Sequence, residues 1–343
     1  MINKRIYSLD VLRIIAAAMI VMHHYQQITN SYFGGRYNFR AFSVVVEFFF
    51  FLSGLVAYKY AKGEPLGFWP YIKKKALRLL PLVAITSVAY EVLLVIYNNV
   101  CKTEWLLGND ISLWGLLLNC LGMQCGWFFQ NPGVNNPAWY VSVLLLCYVI
   151  YWLLDTWSRK KQIPGNILYL VMVILGVVIW VLDWNLPFLN VYAARGYYSF
   201  FLGLLLSRNL KERKIGPLWM VVFILLLIAL YLGLDWSRIV QLEVHNFVLL
   251  FLCYPVIVLL FISEPVKRIL DFKIFGILGA ATYDVYLWHV PMMLAMYIGL
   301  EWLQIHWNLD YYKCLYAFVA GAFVVGLISY FVISRPIQKW INK

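Results

Sequence analysis

The chain has 343 residues, 63% of them hydrophobic and only 13% charged, with 28 lysines and arginines against 16 acids. A composition this apolar excludes a soluble globular protein and predicts an all-α polytopic membrane bundle, one domain over 1–343 with no soluble unit appended. The formal charge of +12 reads as basic residues beside anionic lipid, not as a nucleic-acid surface.

The first apolar run, 9–29, follows Lys4 and Arg5 and continues past Ala16, Ala17 and Ala18, which predicts an uncleaved span and not a signal peptide. It contains Asp10, Arg13, His23 and His24. A charge at the centre of a bilayer costs about 3 kcal/mol on insertion scales, so these residues need a reason. On a helix, Arg13 and His24 share one face, about 20° apart in direction and about 16 Å in height. Asp10 lies one turn below Arg13, and His23 points about 100° away from His24.

Runs at 41–60 and 77–98 follow, carrying Glu47 in "VEFFFFLSG" and Glu91. Lys73, Lys74, Lys75 and Arg78 gather where the third run begins. The half-length run 111–129 is broken by Gly115, Gly122 and Gly126, which predicts a re-entrant or interfacial segment. Further runs at 138–155, 167–184, 195–207, 217–235, 242–263, 274–299 and 313–334 bring the expected spans to ten. The sixth is short and can extend back through Val191. The ninth holds His289 in "ATYDVYLWHVP". Counted along their spans, Glu47, Glu91 and His289 fall near the level of His24, which predicts an internal polar site. A bond to a neighbouring helix accounts for Glu91 equally well.

With the N-terminus inside, 21 of the 28 basic residues fall on cytoplasmic segments and 6 on outer ones, Arg195 among the six. Both termini are therefore expected in the cytoplasm. Cys101, Cys120, Cys125, Cys147, Cys253 and Cys314 lack metal-site spacing and are expected to pack as small apolar residues. A disulfide among the first three is the alternative.

These residues resemble the integral-membrane acyltransferase family 3, the type that O-acylates cell-surface polysaccharides. The family's "LDxLRxxA…H" pattern is matched by Leu9, Asp10, Leu12, Arg13, Ala16 and His24. An acid before "FFxLSG" is matched by Glu47, Phe48, Phe49, Leu52, Ser53 and Gly54. "KKKALRLLP" supplies Lys75, Arg78 and Pro81, and "YxLYLWHxP" is matched by Tyr283, Tyr286, Leu287, Trp288, His289 and Pro291. "PAWYVS" adds Trp139 and Ser142, but where many members carry a Glu two residues later this chain has Leu144. The matches run in order along the whole chain.

The resemblance implies an O-acyltransferase of the plasma membrane, a bacterial inner or cytoplasmic membrane, with no permanently bound cofactor and no metal. Its partners would be acyl-CoA, acetyl-CoA in the first instance, a glycan or lipid-linked saccharide acceptor, and membrane lipid. An anionic cytoplasmic donor needs cations, which Arg13, Lys75 and Arg78 offer; ordinary positive-inside charge explains the lysines too. Attack by a sugar hydroxyl needs a base, for which His24 is the candidate, with Glu47 to orient it. Acylation of His24 itself is the other route. His289 orients substrate, stabilises the oxyanion, or is structural. Asp10, Ser53, Tyr286, Trp288 and Trp139 are expected in support; neither Ser53 nor Ser142 has a base at helical spacing. Trp105, Trp114 and Trp127 suit either sugar stacking or interfacial anchoring. A polysaccharide exporter on the same spans is the competing class.

Overall fold

The computed structural model describes residues 5–35, 38–60, 67–101, 103–128, 134–210, 215–241 and 244–341. Among the basic residues used above for sidedness, Lys4, Arg36, Lys62, Lys102, Lys211, Arg213, Lys214, Lys343 and the side chain of Lys59 lie outside them. The described residues form helices α1 (Tyr7–Thr29), α2 (Val45–Tyr60), α3 (Phe68–Val100), α4 (Leu113–Cys120), α5 (Trp139–Lys161), α6 (Gly165–Val181), α7 (Val191–Leu210) and α8 (Pro217–Gly233). They continue with α9 (Trp236–Gln241), α10 (His245–Val248), α11 (Tyr254–Phe261), α12 (Glu264–Ile269), α13 (Lys273–Trp302), α14 (Tyr312–Ser329) and α15 (Arg335–Ile341). Two-residue strands β1 (Asn185–Leu186) and β2 (Leu189–Asn190) pair as a small antiparallel hairpin before α7.

Among the described residues, each of the ten apolar runs falls largely on helix. Five segments are long and apolar enough to cross a membrane: Tyr7–Thr29, Phe39–Tyr58, Phe68–Val100, Asn136–Lys161 and Tyr312–Ile341. Gly165–Val181, Pro217–Gly233 and His245–Phe261 are apolar but shorter. α7 and α13 are long enough but more polar, and both carry site residues. At about 1.5 Å per residue α3 is about 50 Å long, well beyond the about 30 Å of a hydrocarbon core, so its basic first turns have room to project. The 111–129 run is not a span: Ser112 caps the eight-residue α4, its hydroxyl accepting from the Gly115 N–H at 2.9 Å. Gly122 then turns the chain at φ +67°, a conformation that favours glycine.

Small residues let the helices that frame the site come close. Gly54 of α2 lies on the Phe200 backbone of α7, and Gly203 of α7 lies on the Phe51 backbone of α2, so a Cβ at either would strike the opposite main chain. Gly279 of α13 packs on Asp10 of α1, and Gly326 of α14 on Val285 of α13. The core is continuous through α1, α2, α5 and α7, with Phe50, Phe51, Phe200 and Phe201 fully buried. All six cysteines are unpaired, so the disulfide alternative falls away.

Candidate active site

α1 and α13 pack side by side and bring the two motif histidines together. His24 Nδ1 and His289 Nε2 are 2.9 Å apart, and His289 Nδ1 lies 3.3 Å from the Val285 carbonyl oxygen. A carbonyl can only accept, so His289 Nδ1 carries a hydrogen. In a neutral His289 the Nε2 is then the acceptor. His24 then donates to it from Nδ1, and the Ile20 carbonyl also takes a hydrogen bond from the His24 ring; in that tautomer the His24 Nε2 keeps its lone pair. His24 keeps 7% of its surface exposed while His289 has none, so His24 is the member of the pair that can meet a substrate.

Pro291 shapes this part of α13. It has no N–H, so the carbonyl of Leu287, four residues earlier, loses its helical donor. Asn135 Nδ2 fills the gap at 3.2 Å and also reaches Thr86 Oγ1 of α3 at 3.0 Å. Asn135 holds a left-handed backbone, φ 39°, and is fully buried. It ties the segment before α5 to the helix turn that carries His289.

Glu47 is not the orienting partner of His24; that place is taken by His289. The Glu47 carboxylate is gripped by Arg195 of α7, Nε to Oε1 at 2.7 Å and Nη2 to Oε2 at 2.9 Å. Tyr198 Oη donates to the same Oε1 at 3.3 Å. Arg195 also donates to the Ser43 carbonyl at 3.1 Å and stacks 4.7 Å from the Trp139 ring. Arg195 therefore sits within the bundle and not among outer charges, since α7 starts at Val191. Sequence reasoning passed over it, although a buried acid asks for a cation and Arg195 was the basic residue next to a short apolar run. Glu91 of α3 is buried as well, but bonds neither histidine among the described residues.

Three cations act on Tyr148 of α5. Lys75 Nζ lies 4.1 Å from its ring centroid, and Arg13 and Arg78 are both within its electrostatic range. Asp10 positions Arg13: buried and without exposed surface, it accepts from Arg13 Nη1 at 2.6 Å and from Arg5 Nε at 2.5 Å. One carboxylate between two guanidinium groups leaves Arg13 with donors to spare. From this cluster a line of side chains leads to the histidines. Tyr140 is bonded to Ser53 (Oγ to Oη 3.0 Å) and lies in the range of Arg13. Tyr286 is 5.6 Å from the Tyr140 ring and 6.0 Å from His289.

Trp288 faces the other way, donating from Nε1 to Ser329 Oγ of α14 at 2.9 Å. His23 lies edge-on to His24, with ring centroids 4.8 Å apart, and turns toward the Phe39 and Arg40 backbone. Ser142 is structural: its hydroxyl donates to the Cys125 carbonyl at 2.7 Å and accepts from the Cys125 N–H at 3.1 Å. Of the three tryptophans, Trp105 is buried and bonds Tyr90 Oη at 3.1 Å. Trp127 bonds the Ser142 carbonyl at 3.1 Å, and Trp114 is exposed on α4.

Against models of protein families, residues 6–334 match the one described as an acyltransferase domain. Neither a curated protein nor a solved structure matches the chain.

Proposed function

The chain belongs to acyltransferase family 3, and from that premise we propose that it moves an acetyl group from cytoplasmic acetyl-CoA to a hydroxyl of a cell-surface or lipid-linked glycan on the outer face of a bacterial plasma membrane. In this reading the ten helical runs are ten spans and both termini are cytoplasmic. The observation that carries it is the histidine pair, with one free lone pair on His24 and a line of side chains leading back to three cations.

The CoA phosphates meet Lys75, Arg78 and Arg13, where arginine can grip a phosphate with two N–H groups at once. The thioester arm extends along Tyr148, Tyr140 and Tyr286 toward His24. The acceptor hydroxyl gives its proton to His24 Nε2 as its oxygen attacks the thioester carbonyl carbon. The imidazolium that forms donates from Nδ1 to the lone pair of His289, whose own Nδ1–H is held by the Val285 carbonyl. This is the logic of a base oriented by a third group. The carbon–sulfur bond then breaks, and His24 returns the proton to the departing thiolate, giving the O-acyl glycan and CoA. Held this way, a neutral His289 has no N–H left for an oxyanion. Acylation of His24 would use the same lone pair; trapping a protein-bound radiolabelled acetyl group in a single turnover would select that route.

Purified protein in detergent, given acetyl-CoA and glycan, should release CoA and form an ester. An exporter needs a sealed membrane and would release none.

A further inference from the structure

A concave site lies where α1, α3 and α13 end. It has a volume of about 470 Å³, and its walls include Tyr297, Glu301, His306, Trp307, Asn308 and Leu309. The sequence builds it by stopping α13 abruptly. Gln304 takes a left-handed backbone, φ 54°, and the Ile305 N–H reaches back to the Leu300 carbonyl at 2.8 Å. A helix closed in this way reverses its chain, so residues 305–309 fold back beside the last turns of α13 and form a wall.

That wall is pinned. Tyr25 Oη and Ser31 Oγ both donate to the Leu309 carbonyl, at 2.9 and 3.1 Å. Asp310 Oδ1 accepts from the Phe33 N–H at 2.6 Å, and Tyr312 Oη donates to the Phe33 carbonyl at 3.0 Å. On the other side Tyr297 rests on Trp105 and Tyr97, with ring centroids 5.9 and 6.4 Å away. Trp105 thus serves as a support beneath the cleft. The cleft is therefore preformed, and one of its anchors, Tyr25, is the residue after His24.

Its chemistry is that of a sugar site. Trp307 is 66% exposed and offers a flat apolar face. Glu301 can accept from hydroxyls, while Asn308 and His306 can donate or accept. Burial, helped by the negative charge of Glu301, pushes the Cys101 thiol above its ordinary range, so this wall residue is a neutral thiol and not a nucleophile. Along α13, Tyr297 and Glu301 lie about 12 and about 18 Å beyond His289. A single sugar with its hydroxyl at His24 would not reach that far.

We propose that this cleft is a saccharide subsite, holding units of the acceptor glycan remote from the hydroxyl that reacts. The inference rests on the glycan-acceptor reading above and adds that the acceptor is an oligosaccharide recognised at two places.

The test is binding by the full-length protein in detergent to an array of surface-polysaccharide fragments of graded length, from single sugars upward. Wild type should retain oligosaccharides and not single sugars. Trp307→Ala and the near-isosteric Glu301→Gln should each weaken retention about tenfold, the scale of losing one anchoring contact. Trp302→Ala is the control: this residue ends the same helix and is 81% exposed, but does not line the cleft, so it should bind as wild type does. No oligosaccharide retained by wild type would overturn the subsite. So would equal loss in Trp302→Ala and Trp307→Ala, the result expected if these tryptophans only anchor the protein at the membrane interface. CoA release by Trp307→Ala at saturating oligosaccharide tests the transfer reading separately, because the reacting hydroxyl meets His24 whether or not the cleft grips the remote units.

Discussion

Of the buried polar pairs that cross between helices among the described residues, Glu47–Arg195 and His24–His289 differ in what each leaves unspent. Glu47 and Arg195 are closed: two charges cancel through two hydrogen bonds, and Tyr198, the Ser43 carbonyl and the Trp139 face take up the remaining capacity. His24 and His289 are open: the chain from the Val285 carbonyl through His289 ends on a lone pair. Both pairs put polar groups where water is scarce. Only the second keeps an acceptor that can take up and return a proton. The lesson is that burial of an ionisable group does not mark chemistry by itself; an unfilled valence at the end of a hydrogen-bonded chain does.

The sharpest way to break the comparison is to remove the open end. His24→Ala should lower acyl transfer about 100- to 10,000-fold, the range of a general base, while the protein still inserts and folds. Glu47→Ala should act in the opposite sense. It strands Arg195 beside Tyr198, and breaking one half of a buried pair costs about 3–5 kcal/mol, so folded yield and melting temperature should fall first. A Glu47→Ala protein that melts as wild type does would mean that the pair is not structural.

The cations around Tyr148 should give smaller and more selective effects. Arg13→Ala and Arg78→Ala should raise the KM for acetyl-CoA with a lesser effect on kcat, each removing charge-assisted contacts of about 1.5–3 kcal/mol. Arg78→Lys should recover only part of that if the contact is bidentate. Unchanged KM in both alanine variants would remove the donor site from this face. The smallest effect is expected at His23. Its ring turns toward the Phe39–Val44 turn, so His23→Ala should keep most activity in the same transfer assay.

Much of this was legible in the chain. The described residues of the ten apolar runs are largely helical, because a long apolar run is a local property, read without knowledge of neighbours. His24 was separable from His23 by helical direction alone. What could not be read was pairing over distance. Glu47 and Arg195 are 148 positions apart, and His24 and His289 are 265 apart, so a shared depth suggested an acid, Glu47, where the partner of His24 is His289. Pro291 announced half of another bond: it frees the Leu287 carbonyl by its chemistry, but nothing local says that Asn135 will fill it. Of the tryptophans, Trp105 was unreadable for a related reason. An indole in a loop looks available until the fold places Tyr90 and Tyr297 against Trp105.

The central claim is that His289 fixes the tautomer of His24. Nitrogen-15 NMR of ring-labelled histidine tests it directly, with His24→Ala and His289→Ala used for assignment. In the resting protein near neutral pH, both rings should carry hydrogen on Nδ1 and be bare on Nε2, and His289→Ala should release His24 into a mixture of the two forms. A His24 ring protonated on Nε2 in the intact protein would contradict the account, because the lone pair assigned to the acceptor hydroxyl would not be there.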